Sequence, residues 1–87
     1  MYELKFLKSA IKELKKLDFV AQQMIKDKLE TFIKNPEEMK KHIKPLSGRF
    51  KGKYRLRVRK YRIIYQKQDD VMVILIVRVG PRKNVYE

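Results

Sequence analysis

The chain has 87 residues, 44% of them hydrophobic and nine aromatic, so it forms one domain at most and buries only about 60% of its unfolded surface. That apolar share rules out a disordered tail even though 38% of the residues are charged. Lys and Arg number 23 against 10 Asp and Glu, a net charge of +13, and self-repulsion on that scale fits a polyanionic or acidic partner, either nucleic acid or an acidic protein.

Along the chain, Tyr2-Glu3-Leu4-Lys5-Phe6 alternates apolar with charged residues and predicts a strand with one buried face. Leu7, Ala10, Ile11, Leu14 and Leu17 then recur at helical spacing, with lysines opposite, and predict an amphipathic helix. Asp18 is placed to cap a second helix, whose stripe runs through Ala21, Met24, Ile25, Leu29, Phe32 and Ile33 until Asn35-Pro36 stops it. So short a link makes the pair an antiparallel hairpin. The segment from Pro36 to Gly52 is polar and basic and reads as a partly ordered loop. Tyr54, Leu56 and Val58 alternate with Lys53, Arg55, Arg57 and Arg59, a strand with one apolar and one basic face. Tyr61 to Lys67 predicts another strand. After the turn residues Gln68-Asp69-Asp70, the unbroken apolar run Val71 to Val77 predicts a central strand covered on both faces. The expectation is a single α+β domain over residues 1–87, β-α-α-β-β-β, with a helix hairpin packed on one face of a four-stranded antiparallel sheet.

The charge is concentrated in the second half. Residues 1–44 hold 11 basic and 7 acidic groups, whereas residues 45–87 hold 12 and 3, so +4 stands against +9. With a two-residue turn at Lys60-Tyr61, Arg59 pairs with Arg62, Arg57 with Ile64 and Arg55 with Gln66, which puts four arginines on one face. Like charges facing one another destabilise a sheet, so the cluster points to an anion site. Tyr54, Tyr65 and Phe6 belong to apolar strand faces, whereas Tyr61, beside the turn, is free to stack on a base. Lys51 and Lys53 are candidates for contact with a nucleic-acid backbone.

Other chemistries are poorly supplied. Cysteine is absent, which removes disulfides, thiolate metal sites and thiol catalysis and is compatible with a reducing cytosol. His42 is the single histidine and lies in a lysine-rich connector, so neither a metal site, a cofactor nor a Ser-His-Asp triad is expected. The start carries charge from Glu3 onward, and Val71 to Val77 is too short to span a bilayer, which predicts a cytoplasmic protein without a membrane partner.

Three elements in order carry a resemblance: Leu46-Ser47-Gly48 before a Tyr-Arg-x-Arg strand, Tyr61-Arg62-Ile63-Ile64-Tyr65, and Val79-Gly80-Pro81-Arg82-Lys83-Asn84-Val85-Tyr86. Over essentially the whole chain the sequence resembles the RelE/ParE toxin superfamily, small proteins with a microbial-ribonuclease-like fold whose concave sheet face binds RNA. The RelE branch implies a toxin of a type II toxin–antitoxin system. Such a toxin enters the ribosomal A site and cleaves mRNA through attack of a ribose 2′-hydroxyl on the adjacent phosphate. Carried over residue by residue, the resemblance assigns the catalytic positions to Arg55, Arg57, Arg62, Arg82 and Tyr86, with Arg59 and Lys83 as further RNA contacts. Lysines are expected in the family where this chain has Arg55 and Arg57. The implied partners are the ribosome, mRNA and an acidic, RelB-like antitoxin that folds on binding, in a toxin–antitoxin heterotetramer.

Elementary chemistry narrows the roles. Phosphodiester cleavage needs a base for the 2′-hydroxyl, cations for the charged transition state and an acid for the leaving oxygen. Arginine clamps phosphate but stays protonated and is a poor base. With no histidine in the sheet half, Tyr86 is the best candidate, because neighbouring arginines favour the phenolate form. Two other functions fit the same residues: a ParE-like gyrase poison, which needs no RNA chemistry, and a non-catalytic basic RNA-binding protein.

Overall fold

The computed structural model describes residues 1–86. Strand β1 (Glu3–Phe6) leads into helices α1 (Lys8–Lys15) and α2 (Phe19–Lys34). After two short 3-10 turns and strand β2 (Ile43–Pro45) come β3 (Tyr54–Val58), β4 (Tyr61–Gln68), β5 (Val73–Pro81) and a last short helix, α3 (Arg82–Val85). The order across the sheet is β1-β5-β4-β3-β2.

Helix boundaries follow from local chemistry. The Asp18 side chain accepts the Ala21 amide at 2.8 Å and caps α2, an arrangement worth about 1 kcal/mol. The helix closes at Lys34, one residue before Asn35-Pro36. Ala10 and Leu14 of α1 and Ala21, Ile25, Leu29 and Phe32 of α2 are buried against Leu56, Ile63, Tyr65 and Ile76 of the sheet. Both helices therefore cover one face, as expected of an α+β domain, and the opposite face is left for chemistry. Tyr65 is buried, and Tyr54 and Phe6 pack against the same core, with Tyr54 and Tyr65 stacked at 5.6 Å between ring centroids.

The sheet departs from expectation in two respects. It has five strands rather than four, because Ile43–Pro45, within the expected loop, pairs antiparallel with β3. A three-residue edge strand containing Lys44 and Pro45 has too short a pattern to be seen in sequence. It is also mixed rather than wholly antiparallel, since β1 runs parallel to β5, with Glu3 facing Val73 and Phe6 facing Ile76. Alternation reveals a strand's faces but not its direction. The apolar run of β5 is explained by its interior place between β1 and β4. A bulge shifts the β4–β5 register between Ile64 and Tyr65, so that Ile64 faces Arg78 and Tyr65 faces Ile76.

Candidate nucleic-acid interface

The β3–β4 turn is Arg59-Lys60, one residue earlier than the sequence suggested, so Val58 faces Tyr61, Arg57 faces Arg62 and Arg55 faces Ile64. Arg59 takes the unusual positive φ of 53° in place of a glycine or asparagine. Each partner has moved by two positions, which leaves the strand arginines on their predicted face. Arg55, Arg57 and Arg62 thus share the face away from the helices. Arg59 instead occupies the turn, where its carbonyl accepts a hydrogen bond from Arg62 Nη1 at 2.8 Å. Tyr61 is not a stacking platform: opposite Val58 it joins the core face and is 6% exposed.

The same Arg62 nitrogen donates to the Tyr61 carbonyl at 2.9 Å, fixing the guanidinium against the turn. Arg62 is half-buried. That burial, and then the positive charge of Arg55, with Arg82 and Arg57 adding to it, hold the guanidinium below its ordinary range, while Tyr86 acts in the opposite sense. Arg55, Arg57, Arg82 and Tyr86 are therefore all near enough to act on Arg62's charge. Among the described residues, the Nε of Arg55 is buried without a hydrogen-bond partner, and a donor left in that state costs about 1–3 kcal/mol.

Arg82 and Tyr86 reach this cluster through α3. The Arg82 amide donates to the Lys60 carbonyl at 3.2 Å, and the fully buried Val85 lies over Gly80, the residue facing Arg62 on β5. Behind them, Glu13 of α1 accepts the Val79 amide at 3.0 Å and pairs with Arg78 at 3.0 Å. Arg78 Nη2 also donates to the Asn84 carbonyl at 3.1 Å, tying α3 to β5. Tyr86 remains 39% exposed and available to a ligand. Lys51 and Lys83 are exposed and Lys53 is half-buried; of these, Lys83 sits on α3 beside Arg82.

Residues 4–86 match the family model described as the ParE toxin of type II toxin-antitoxin system, parDE. The chain belongs to that toxin family. A RelE-like toxin protein of Escherichia coli is 34% identical over 83 residues, spanning 95% of this chain and 85% of that protein. The mRNA interferase toxin RelE of Escherichia coli K12 is 30% identical over the same coverage. Among solved structures, the toxin of the intact E. coli RelBE toxin–antitoxin complex superposes with a TM-score of 0.74 at 29% identity, covering 93% of this chain and 96% of that one. The archaeal RelE-RelB complex from Pyrococcus horikoshii gives 0.76 at 26% identity, covering 97% and 98%.

Within this family member, sequence reasoning overlooked two residues near the arginines. Lys44 on β2 faces Arg55. His42, just before β2, meets Arg57 with its Nδ1 3.3 Å from Nη2, so the one histidine reaches the site although the sequence places it in a distant connector. No local signal points to either, because the run Ile43–Pro45 whose pairing with β3 brings them there is too short to read as a strand. Among the described residues, no three His, Cys, Asp or Glu side chains are grouped to hold a metal ion. No helix among the described residues is long and apolar enough to cross a membrane.

Proposed function

We propose that this chain is an endoribonuclease toxin of the RelE kind, which cleaves mRNA in the ribosomal A site and is restrained by an antitoxin. The observation that carries the proposal is the grouping of Arg55, Arg57, Arg82 and Tyr86 around the half-buried Arg62 on the face left open by the helices. Such a cluster has two functions in phosphodiester cleavage. The guanidiniums bind the scissile phosphate and stabilise the charge that grows on it, and the unpartnered Arg55 Nε supplies a donor in need of an acceptor. Tyr86 takes the proton of the 2′-hydroxyl. The 2′-oxygen then bonds to phosphorus, the bond to the 5′-oxygen breaks, and the products are a 2′,3′-cyclic phosphate and a 5′-hydroxyl.

Two considerations favour this reading over the gyrase poison that the ParE family name suggests. The curated relatives are RelE proteins, one of them named an mRNA interferase toxin, and the closing arginine and tyrosine are both retained as Arg82 and Tyr86. Arginines at the two family lysine positions keep phosphate affinity while shifting proton transfer onto other residues. The antitoxin follows from the same comparison, since the neighbouring solved toxins are in RelB complexes. A segment suited to a +13 surface is acidic, with apolar side chains, and folds on binding.

Primer extension on a translated transcript tests the proposal. Expression of the chain should arrest growth and create new 5′ ends within the codon occupying the A site. Growth arrest with intact transcripts and altered DNA supercoiling would instead make the chain a gyrase poison, and arrest with neither would leave a protein that docks on RNA without cutting it.

A further inference from the structure

Tyr86 can accept a proton, but the arginines around it cannot deliver one to the departing 5′-oxygen, so the site as assembled from the family positions lacks an acid. His42 supplies the missing group. Arginine has only donors, so the contact at 3.3 Å requires Arg57 Nη2 to donate and His42 Nδ1 to accept. Imidazole is the side chain suited to gaining and losing a proton near neutrality.

Its position fits the geometry of an in-line displacement, in which attacking and leaving oxygens lie on opposite sides of phosphorus. Arg57 faces Arg62, and Arg62 faces Gly80. Extending the β2–β3 register back from Ile43 and Leu56 sets His42 against Arg57. The row His42, Arg57, Arg62, Gly80 thus crosses four strands and spans about 14 Å at ordinary strand spacing. Tyr86 follows Val85, which covers Gly80. A phosphate seated over Arg62 has His42 on one side and Tyr86 on the other.

We propose that His42 is the general acid of this site, giving its proton to the 5′-oxygen while Tyr86 takes the proton of the 2′-hydroxyl. The inference rests on the endoribonuclease reading. Before substrate binds, His42 is held through Nδ1 by Arg57. When the phosphate arrives, Arg57 turns to its oxygens, and the released Nδ1 takes up a proton from water. The 2′-oxygen to phosphorus bond then forms, the phosphorus to 5′-oxygen bond breaks, and the imidazolium proton moves to that oxygen. Imidazole and phenol remain, to be restored by exchange with water. The charged groups about His42 are Arg57 across the ladder, with Arg62 beyond it, Arg55 opposite Lys44, and Lys40, Lys41 and Lys44 along its own segment. The same segment also carries the acidic Glu37 and Glu38 in its first turn, and the arriving phosphate adds negative charge beside the cations.

The test compares single-turnover cleavage of two short mRNAs on ribosomes, one natural and one with sulfur replacing the bridging 5′-oxygen at the scissile bond, since a thiolate leaves without protonation. His42→Ala is expected to slow the natural substrate by about 10²- to 10⁴-fold and to cleave the sulfur substrate at close to the wild-type rate. Tyr86→Phe is expected to slow both. His42→Gln keeps an acceptor for Arg57 but carries no transferable proton, so it should behave as His42→Ala. If His42→Gln matches wild type, or His42→Ala slows both substrates equally, His42 only holds Arg57 and the inference is overturned. Wild-type rates for His42→Ala on the natural substrate also overturn it, while the nuclease reading stands. A wild-type protein that cuts neither substrate refutes the nuclease reading itself, and the proton-transfer role with it.

Discussion

Gly80 lies directly beneath Val85: a Cβ built at Gly80 would stand 3.3 Å from Val85 Cγ2. Val85 is fully buried and stands between Arg82 and Tyr86, so this single close approach sets how near the end of the chain comes to Arg62.

Gly80→Ala is therefore expected to displace α3 by a few tenths of an ångström and lower cleavage by roughly 10-fold, given that 1 Å of misplacement is worth about 10²-fold. Stability should change by less than about 1 kcal/mol, because alanine's smaller loss of backbone entropy offsets the crowding. Cleavage kinetics with urea unfolding of the same variant check both halves. An unchanged rate would release Val85 from any part in placing Tyr86.

Arg82→Ala and Tyr86→Phe separate anchoring from proton transfer. Loss of the guanidinium should reduce single-turnover cleavage by about 10²- to 10³-fold. Removal of the hydroxyl alone should reduce it by about 10²- to 10⁴-fold. Ribosome binding, followed by cosedimentation, should survive in both. Arg57→Lys should retain phosphate attraction and raise the rate, since an ammonium can donate a proton where guanidinium does not.

Glu13 links α1 to the end of β5 that leads into α3, through the Val79 amide and the Arg78 guanidinium. Glu13→Ala leaves the strand amide without its acceptor and should cost about 1–3 kcal/mol in urea denaturation. Glu13→Gln keeps an acceptor and loses only a partly exposed ion pair, so its cost should be about 1 kcal/mol or less. Because Arg78 also holds the Asn84 carbonyl, the Ala variant should lose cleavage beyond what its stability alone accounts for.

Alkaline stability should be governed in part by Tyr65. Burial first, and then the charge of Tyr54, raise its phenol above the ordinary value of 10.0. A raised folded-state value means that the full contribution is present below the unfolded value, near pH 10, and is lost as pH climbs toward the folded one. The slope is about 1.4 kcal/mol per pH unit for one proton. Urea midpoints of wild type and Tyr65→Phe should diverge in their pH dependence above about pH 10 and run parallel below it. Parallel curves throughout would show that Tyr65 ionises freely in the folded protein.

Helices α1 and α2 and four of the five strands were legible because their signals are local: an Asp18 cap, two periodic stripes, an Asn35-Pro36 stop and alternation at Tyr54 to Val58. The arginine face was legible even though the register was off, since a shift of two keeps Arg55, Arg57 and Arg62 on one side. Tyr61 shows the opposite case: once the turn moves to Arg59-Lys60, a residue expected at the surface becomes the core partner of Val58. What stayed hidden was long-range. No local pattern states that β1 runs parallel to β5 or that Ile43–Pro45 pairs with β3 and brings His42 to Arg57.

The pairing of the first strand with the last also governs when the protein becomes active during its own synthesis. Until β5 has been made, β1 has no partner in the sheet, and Arg82 and Tyr86, which follow β5, are missing as well. A nascent chain can form the α1–α2 hairpin early, because its contacts are local, but closing the sheet joins residues at opposite ends of the sequence and is intrinsically slow. A message cut upstream of the codons for β5 yields a chain that lacks Arg82 and Tyr86, so a toxin that cuts messages would silence its own production before completing more of itself.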